Sequence, residues 1–141
     1  MNKVTTKFLQ SNGLRIAYEE FGQPSDPVIL LVAGLYNQLV RWPIEFCELL
    51  VAKGFRVIRF DNRDFGKSTH FAPCRPNSGL SCPYTMDDLA SDCIHILGAY
   101  GIEKAHVIGH SLGGSIAQLL YVREPKRILS AVSISAPLLA I

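Results

Sequence analysis

Gly109-His110-Ser111-Leu112-Gly113 has the spacing of a sharp strand-to-helix turn that lifts a serine hydroxyl above the end of a β-sheet. A serine presented in that way can attack an acyl carbon. The turn holds its serine in a strained backbone conformation and tolerates only small neighbours. Gly109 and Gly113 flank the serine, and Gly114 and Ser115 extend the run of small residues. Ala105-His106-Val107-Ile108 supplies an apolar strand before the turn, and Ile116 to Val122 supplies a helical stretch after it. The start of that helix would lie beneath Ser111, where unpaired N–H groups and the helix dipole favour an anion such as a tetrahedral oxyanion.

The elements that would position this turn alternate between strand and helix. Phe8–Ser11 and Leu14–Phe21 read as two strands joined by Asn12-Gly13, the sequence of a tight antiparallel hairpin. Val28–Val32 is a continuous apolar run, as expected of a strand buried on both faces. Pro43 opens a helix carrying Ile44, Phe46, Cys47, Leu49, Leu50 and Val51, and Gly54 ends it. Phe55–Phe60 is the next strand. Asn62 to Tyr84 is rich in Gly, Pro and Ser and shows no regular period, so it reads as a long loop. Thr85 is an N-cap followed by Asp87 and Asp88, with Leu89, Cys93, Ile96 and Tyr100 on one helical face that ends near Gly101. A last apolar strand runs from Ile128 to Ser135. The pattern implies an α/β fold: a mostly parallel sheet with helices on both faces and an N-terminal antiparallel hairpin.

Composition excludes several function classes. The 141 residues make one domain, and 48% hydrophobic with 18% charged residues supports a packed core. The net charge of +2 is dispersed without a basic block, so no nucleic-acid or membrane footprint is expected. The polar N-terminus lacks the apolar core of a signal peptide, and no apolar run reaches the length of a membrane span. A cytoplasmic protein is the resulting expectation. Of four cysteines, Cys47 and Cys93 lie in helical patterns and read as free buried thiols, while Cys74 and Cys82 share one loop and leave a disulfide open. No spacing is CxxC, and neither a metal site nor a cofactor is expected.

Further motifs carry a family resemblance. Ala33-Gly34-Leu35 follows the third strand, Asp61-Asn62-Arg63-Asp64-Phe65-Gly66-Lys67-Ser68 follows the fourth, and Gly-His-Ser-Leu-Gly-Gly occupies 109 to 114. In this order they resemble the N-terminal half of an α/β-hydrolase, whose corresponding motifs are a His-Gly turn, DxRGxGxS and the GxSxG elbow. Asp64 and the Trp42-Pro43 helix start are similar to the serine-esterase branch of aclacinomycin methylesterase-like hydrolases. The resemblance implies Ser111 as nucleophile, with the backbone N–H groups of Leu112 and Leu35 as the oxyanion hole. Ala33 replaces the usual His, which leaves a main-chain hole possible. Asp61, Arg63 and Ser68 are expected to hold the loop beside the elbow, and Leu35, Tyr36, Asn37 and the loop through Phe71 to line one wall.

A serine hydroxyl needs an imidazole to take its proton and a carboxylate to orient that imidazole. In this fold the order is Ser, acid, His. After Ser111 the chain has neither Asp nor His, and its only carboxylate there is Glu124. His70, His95, His106 and His110 all precede the serine or sit in the elbow and read as structural. The chain is thus expected to be an incomplete hydrolase domain over 1–141, truncated after about the sixth strand, with an apolar sheet edge open to self-association. Losing the base of a comparable enzyme costs about 10⁶ in turnover, roughly 8 kcal/mol at 1.36 per tenfold. The leading reading is a serine hydrolase of a small carboxylic ester acting through an acyl-serine, inactive or nearly so as this chain. A cofactor-free perhydrolase or haloperoxidase using the same serine and a non-catalytic binding module remain alternatives.

Overall fold

The computed structural model describes residues 4–71 and 81–140. Six strands form one mixed sheet: β1 (Lys7–Ser11), β2 (Leu14–Phe21), β3 (Val28–Val32), β4 (Arg56–Phe60), β5 (Ala105–His110) and β6 (Ile128–Ile134). Their spatial order is β1-β2-β4-β3-β5-β6. The first two pairings, β1 with β2 and β2 with β4, are antiparallel, and the remaining three are parallel. The expected α/β architecture is what the chain adopts. At the hairpin, Asn12 has φ 50° and Gly13 φ 76°, the two positive values that let a two-residue turn follow the strand twist. Ser11 pairs with Leu14 across it.

Among the described residues three α-helices cover the sheet: α1 (Ile44–Ala52), α2 (Met86–Ala99) and α3 (Leu112–Arg123). Successive side chains of a strand point to opposite faces, so the apolar run of β3 divides in two. Val28, Leu30 and Val32 join Ile58, Phe60, Leu89, Cys93, Ile96, Ile116 and Leu120 in the larger core, beneath α2 and α3. Ile29 and Leu31 join Trp42, Cys47 and Val57 in a smaller one beneath α1. The Thr85 cap is a full capping box, in which its side chain accepts from the Asp88 N–H while the Asp88 carboxylate accepts from the Thr85 N–H. Both α1 and α2 end in a Schellman motif: Phe55 N–H reaches Leu50 O at 3.3 Å, and Ile102 N–H reaches Leu97 O at 2.9 Å. Cys47 and Cys93 are buried free thiols, and burial pushes both up, Cys47 to about 11. The Cys74–Cys82 pairing falls outside the described residues.

At the elbow two boundaries differ from the sequence expectation for one reason. Strand β5 continues to His110, and α3 begins at Leu112 rather than near Ile116. The first turn of α3 is Leu-Gly-Gly-Ser, poor in helix propensity, and tertiary packing at the elbow overrides it. A short 3₁₀ turn at Leu39–Arg41 also precedes α1. Strand β6 lies at a sheet edge and exposes Leu129, Val132 and Ile134. Among the described residues no helix is long and apolar enough to cross a membrane.

Among the described residues each buried arginine is paired with a carboxylate. Arg59 of β4 stands opposite Glu19 of β2 in register and donates to its carboxylate at 2.9 Å. After β4, Arg63 makes a two-bond fork to Asp92 on the buried face of α2, each bond 2.7 Å. Asp92 is 1% exposed, so removing it leaves a guanidinium without its counter-charge. Asp92→Ala is expected to cost about 3–5 kcal/mol, read as a fall in the urea midpoint, with Asp92→Asn losing less.

Candidate functional site

The strand order reverses direction at β3: the chain leaves it for β4 on one side and later returns to β5 on the other. Such a switch point opens a crevice at the carboxyl ends of the two central strands. The turn after β3 and the turn after β5 both arrive there.

Ser111 occupies the second turn with φ 54° and ψ −121°, a region that non-glycine residues adopt only when their surroundings impose it. Its N–H donates to Ile134 O at 2.8 Å, tying the elbow to β6. Its carbonyl accepts from the Gly114 and Ser115 N–H groups at 2.8 and 3.1 Å, starting α3. The glycines are required by contact. A Cβ on Gly109 would lie 1.9 Å from Gly113 O, and one on Gly113 would lie 2.1 Å from Val32 O. Strand β5, helix α3 and the end of β3 therefore meet backbone to backbone.

The first turn is held from three sides. Asn62, 1% exposed at the end of β4, donates its Nδ2–H to Ala33 O at 3.1 Å. Gly34 O accepts from the Asn37 N–H at 3.1 Å. Gly34 itself packs on the elbow, since a Cβ there would lie 3.1 Å from Ser111 Cβ. In a trans peptide the N–H points opposite to the C=O, so drawing Gly34 O into the turn sends the Leu35 N–H outward. Among the described residues neither the Leu35 nor the Leu112 N–H donates to a protein acceptor. Two free amides thus belong to turns that touch at Ser111, and Ser111 is half-buried.

The loop after β4 braces this arrangement. The Asp61 carboxylate accepts from the Leu39 N–H at 2.7 Å and the Lys67 N–H at 2.9 Å. Ser68 Oγ donates to Asp61 O at 2.6 Å and accepts from the Ala17 N–H at 2.9 Å. Asp64 sits at φ 73° and accepts from the Phe71 N–H at 2.6 Å. The Tyr84 phenol is pushed up by burial and by its hydrogen bond to Asp64. Asp61, Arg63 and Ser68 all spend their polar groups on the chain itself.

A profile of the alpha/beta hydrolase fold matches residues 27–141. The chain belongs to the alpha/beta hydrolase family. It is 39% identical over 125 residues to rhodomycin D methylesterase of Streptomyces peucetius, covering 89% of this chain and 40% of that protein. It is 34% identical over 119 residues to a putative carbamate hydrolase of Variovorax paradoxus, covering 84% of this chain and 41% of that one. A hydrolase structure from Pseudomonas aeruginosa superposes with a TM-score of 0.79 at 30% identity, over 93% of this chain and 46% of that chain. The chain spans about two fifths of the length of these curated relatives.

Within this hydrolase fold none of the four histidines is hydrogen-bonded to the serine hydroxyl among the described residues. His70 Nε2 is 2.9 Å from Gly66 O, His106 Nδ1 is 2.7 Å from Ser130 Oγ, His95 is exposed on α2, and His110 Nδ1 is buried without a partner. Among the described residues no imidazole or carboxylate is hydrogen-bonded to Ser111 Oγ. Sequence reasoning missed Asn62 and Asp92. The signal for Asp92 was available, because a carboxylate between Leu89 and Cys93 on an apolar helical stripe requires a buried partner. Asn62 had no such signal, since its bond depends on two strands meeting.

Strain and contact at the elbow act in opposite directions under substitution. Gly113→Ala is expected to destabilise by about 1–3 kcal/mol through overpacking. Ser111→Gly, relieved of its φ, is expected to stabilise by about 1 kcal/mol; urea unfolding of both variants measures the difference.

Proposed function

We propose that Ser111 is the nucleophile of a hydrolase acting on a small carboxylic ester. The observation that carries this reading is the pairing of the strained Ser111 backbone at the start of α3 with Gly34 packed against its Cβ. An ester carbonyl above Ser111 would place its oxygen where the Leu112 and Leu35 N–H groups are free to donate. Attack by Ser111 Oγ forms the C–O bond of a tetrahedral intermediate, and its negative oxygen is held by the two amides. Expulsion of the alcohol leaves an acyl-serine, and water releases the acid and restores the serine. The name of the Streptomyces relative, a methylesterase, supports an ester as substrate.

The proton of Ser111 needs a base, and no Asp or His follows Ser111 in the sequence. We read residues 1–141 as the N-terminal part of a hydrolase domain, a reading supported by the two-fifths coverage of its relatives. On this reading the 1–141 chain keeps the nucleophile and the oxyanion hole but turns over slowly, with a loss on the order of 10⁶ for the missing base. The uncharged edge strand β6 would be the surface for self-association.

A non-catalytic binding module is the second reading, favoured by the absence of a base on Ser111 Oγ among the described residues. The two separate on prolonged incubation with a fluorophosphonate probe in alkaline buffer, where hydroxide stands in for the missing base. Covalent labelling of folded 1–141 chain that disappears in Ser111→Ala, read by intact-protein mass, is the result expected of the hydrolase. Folded protein that takes no label belongs to the binding module.

A further inference from the structure

We propose that Tyr36 is a binding platform for a planar aromatic group of the substrate, held beside Ser111 at a cost in backbone strain. The inference rests on the reading of Ser111 as nucleophile.

Five non-glycine residues among those described have positive φ: Asn12, Tyr36, Asp64, Ser111 and Ser135. Asn and Asp tolerate that region because their short polar side chains bond locally. Ser111 is the elbow. Tyr36, at φ 59°, is the one bulky side chain in the set, and a ring on a backbone of that kind is disfavoured. It stands third in the turn closed by Asn37 N–H and Gly34 O, a place where glycine is the usual solution.

Burial does not offset this strain. Tyr36 is 85% exposed, and among the described residues its hydroxyl has no hydrogen-bond partner. Its one aromatic contact is with Phe65, at 5.9 Å between centroids and 87° between planes. Phe65 is in turn fixed by the braced loop, where its N–H donates to Asn62 O at 3.1 Å. The ring is thus steadied from one side and open on the rest.

Position gives the strain a use. Tyr36 follows Leu35, whose N–H is the proposed oxyanion donor, and lies two residues from Gly34, which packs on Ser111 Cβ. Leu35 is 49% exposed, so a half-exposed aliphatic side chain and an exposed ring follow one another in the turn whose Gly34 packs on Ser111. An aromatic group on the ester, stacked or edge-on against Tyr36, would gain the geometry-dependent attraction of two rings over that of mere apolar contact. A preorganised ring gives up little freedom on binding.

The test compares labelling rates of two fluorophosphonates of equal length, one ending in phenyl and one in cyclohexyl, on the 1–141 chain in alkaline buffer, where hydroxide stands in for the missing base. The rate ratio is insensitive to changes in the turn that slow both probes alike. Wild type is expected to favour phenyl by about 3- to 10-fold, Tyr36→Phe to keep that preference, and Tyr36→Leu and Tyr36→Gly to lose it. Tyr36→Gly is also expected to melt a few degrees higher, because strain leaves with the ring. A ratio near one in wild type, or one unchanged in Tyr36→Leu and Tyr36→Gly, overturns the platform while leaving Ser111 in place. Failure of both probes to label any variant overturns the Ser111 reading and the platform with it.

Discussion

Backbone meeting backbone without intervening side chains is the constraint on which the site depends. Where β5 turns into α3, Gly109 faces Gly113 and Gly113 faces the carbonyl of Val32, at separations that a single methyl would exceed. Only that closeness brings the amino end of α3 level with the end of β3. The turn after β3 then rests on the elbow through Gly34.

The rest of the structure holds this contact in place with buried polar groups, each hydrogen-bonded, although among the described residues Asn62 Oδ1 has no partner. Asn62 grips Ala33 O, Asp61 bridges the 3₁₀ turn and the loop after β4, and Ser68 stitches that loop to β2. Arg63 reaches across to Asp92 and anchors the same loop on α2. Each bond adds little net stability by itself, since it replaces one to water. Their value here lies in direction, because each bond admits few geometries and together they leave the two turns one relative placement. The aromatic contacts continue the brace outward: Phe71 and Tyr84 approach to 5.4 Å, and the Arg63 guanidinium lies 5.6 and 5.4 Å from their centroids.

Strain follows the same map. The elbow serine, Tyr36 and Asp64 all hold positive φ, and all lie in turns at the carboxyl ends of the strands. Asp64 occupies the glycine position of the family motif and accepts from the Phe71 N–H, so its side chain supplies a bond that glycine could not.

Local rules made much of the fold legible. Asn12-Gly13 encodes its own turn, Thr85 and Asp88 cap each other within one helical turn, and the apolar run of Val28–Val32 has no other place than a buried strand. Such features involve neighbours in sequence, and neighbour energies are readable from residue types. Ser111 was legible for the same reason, as its glycines stand two residues away on either side. The start of α3 was not, because Leu-Gly-Gly-Ser lacks the propensity of a helix and is wound by contacts with β3 and β5. The partners of Ala33, Arg63 and Gly34 were equally hidden. Each lies 29 or more residues distant along the chain, and which side chain meets which is decided by strand order alone. The sequence by itself determined which strands and helices form and where the elbow falls. The tertiary structure decided what stands beside Ser111, because the turn through Gly34 and the elbow come into contact only after the sheet has been assembled.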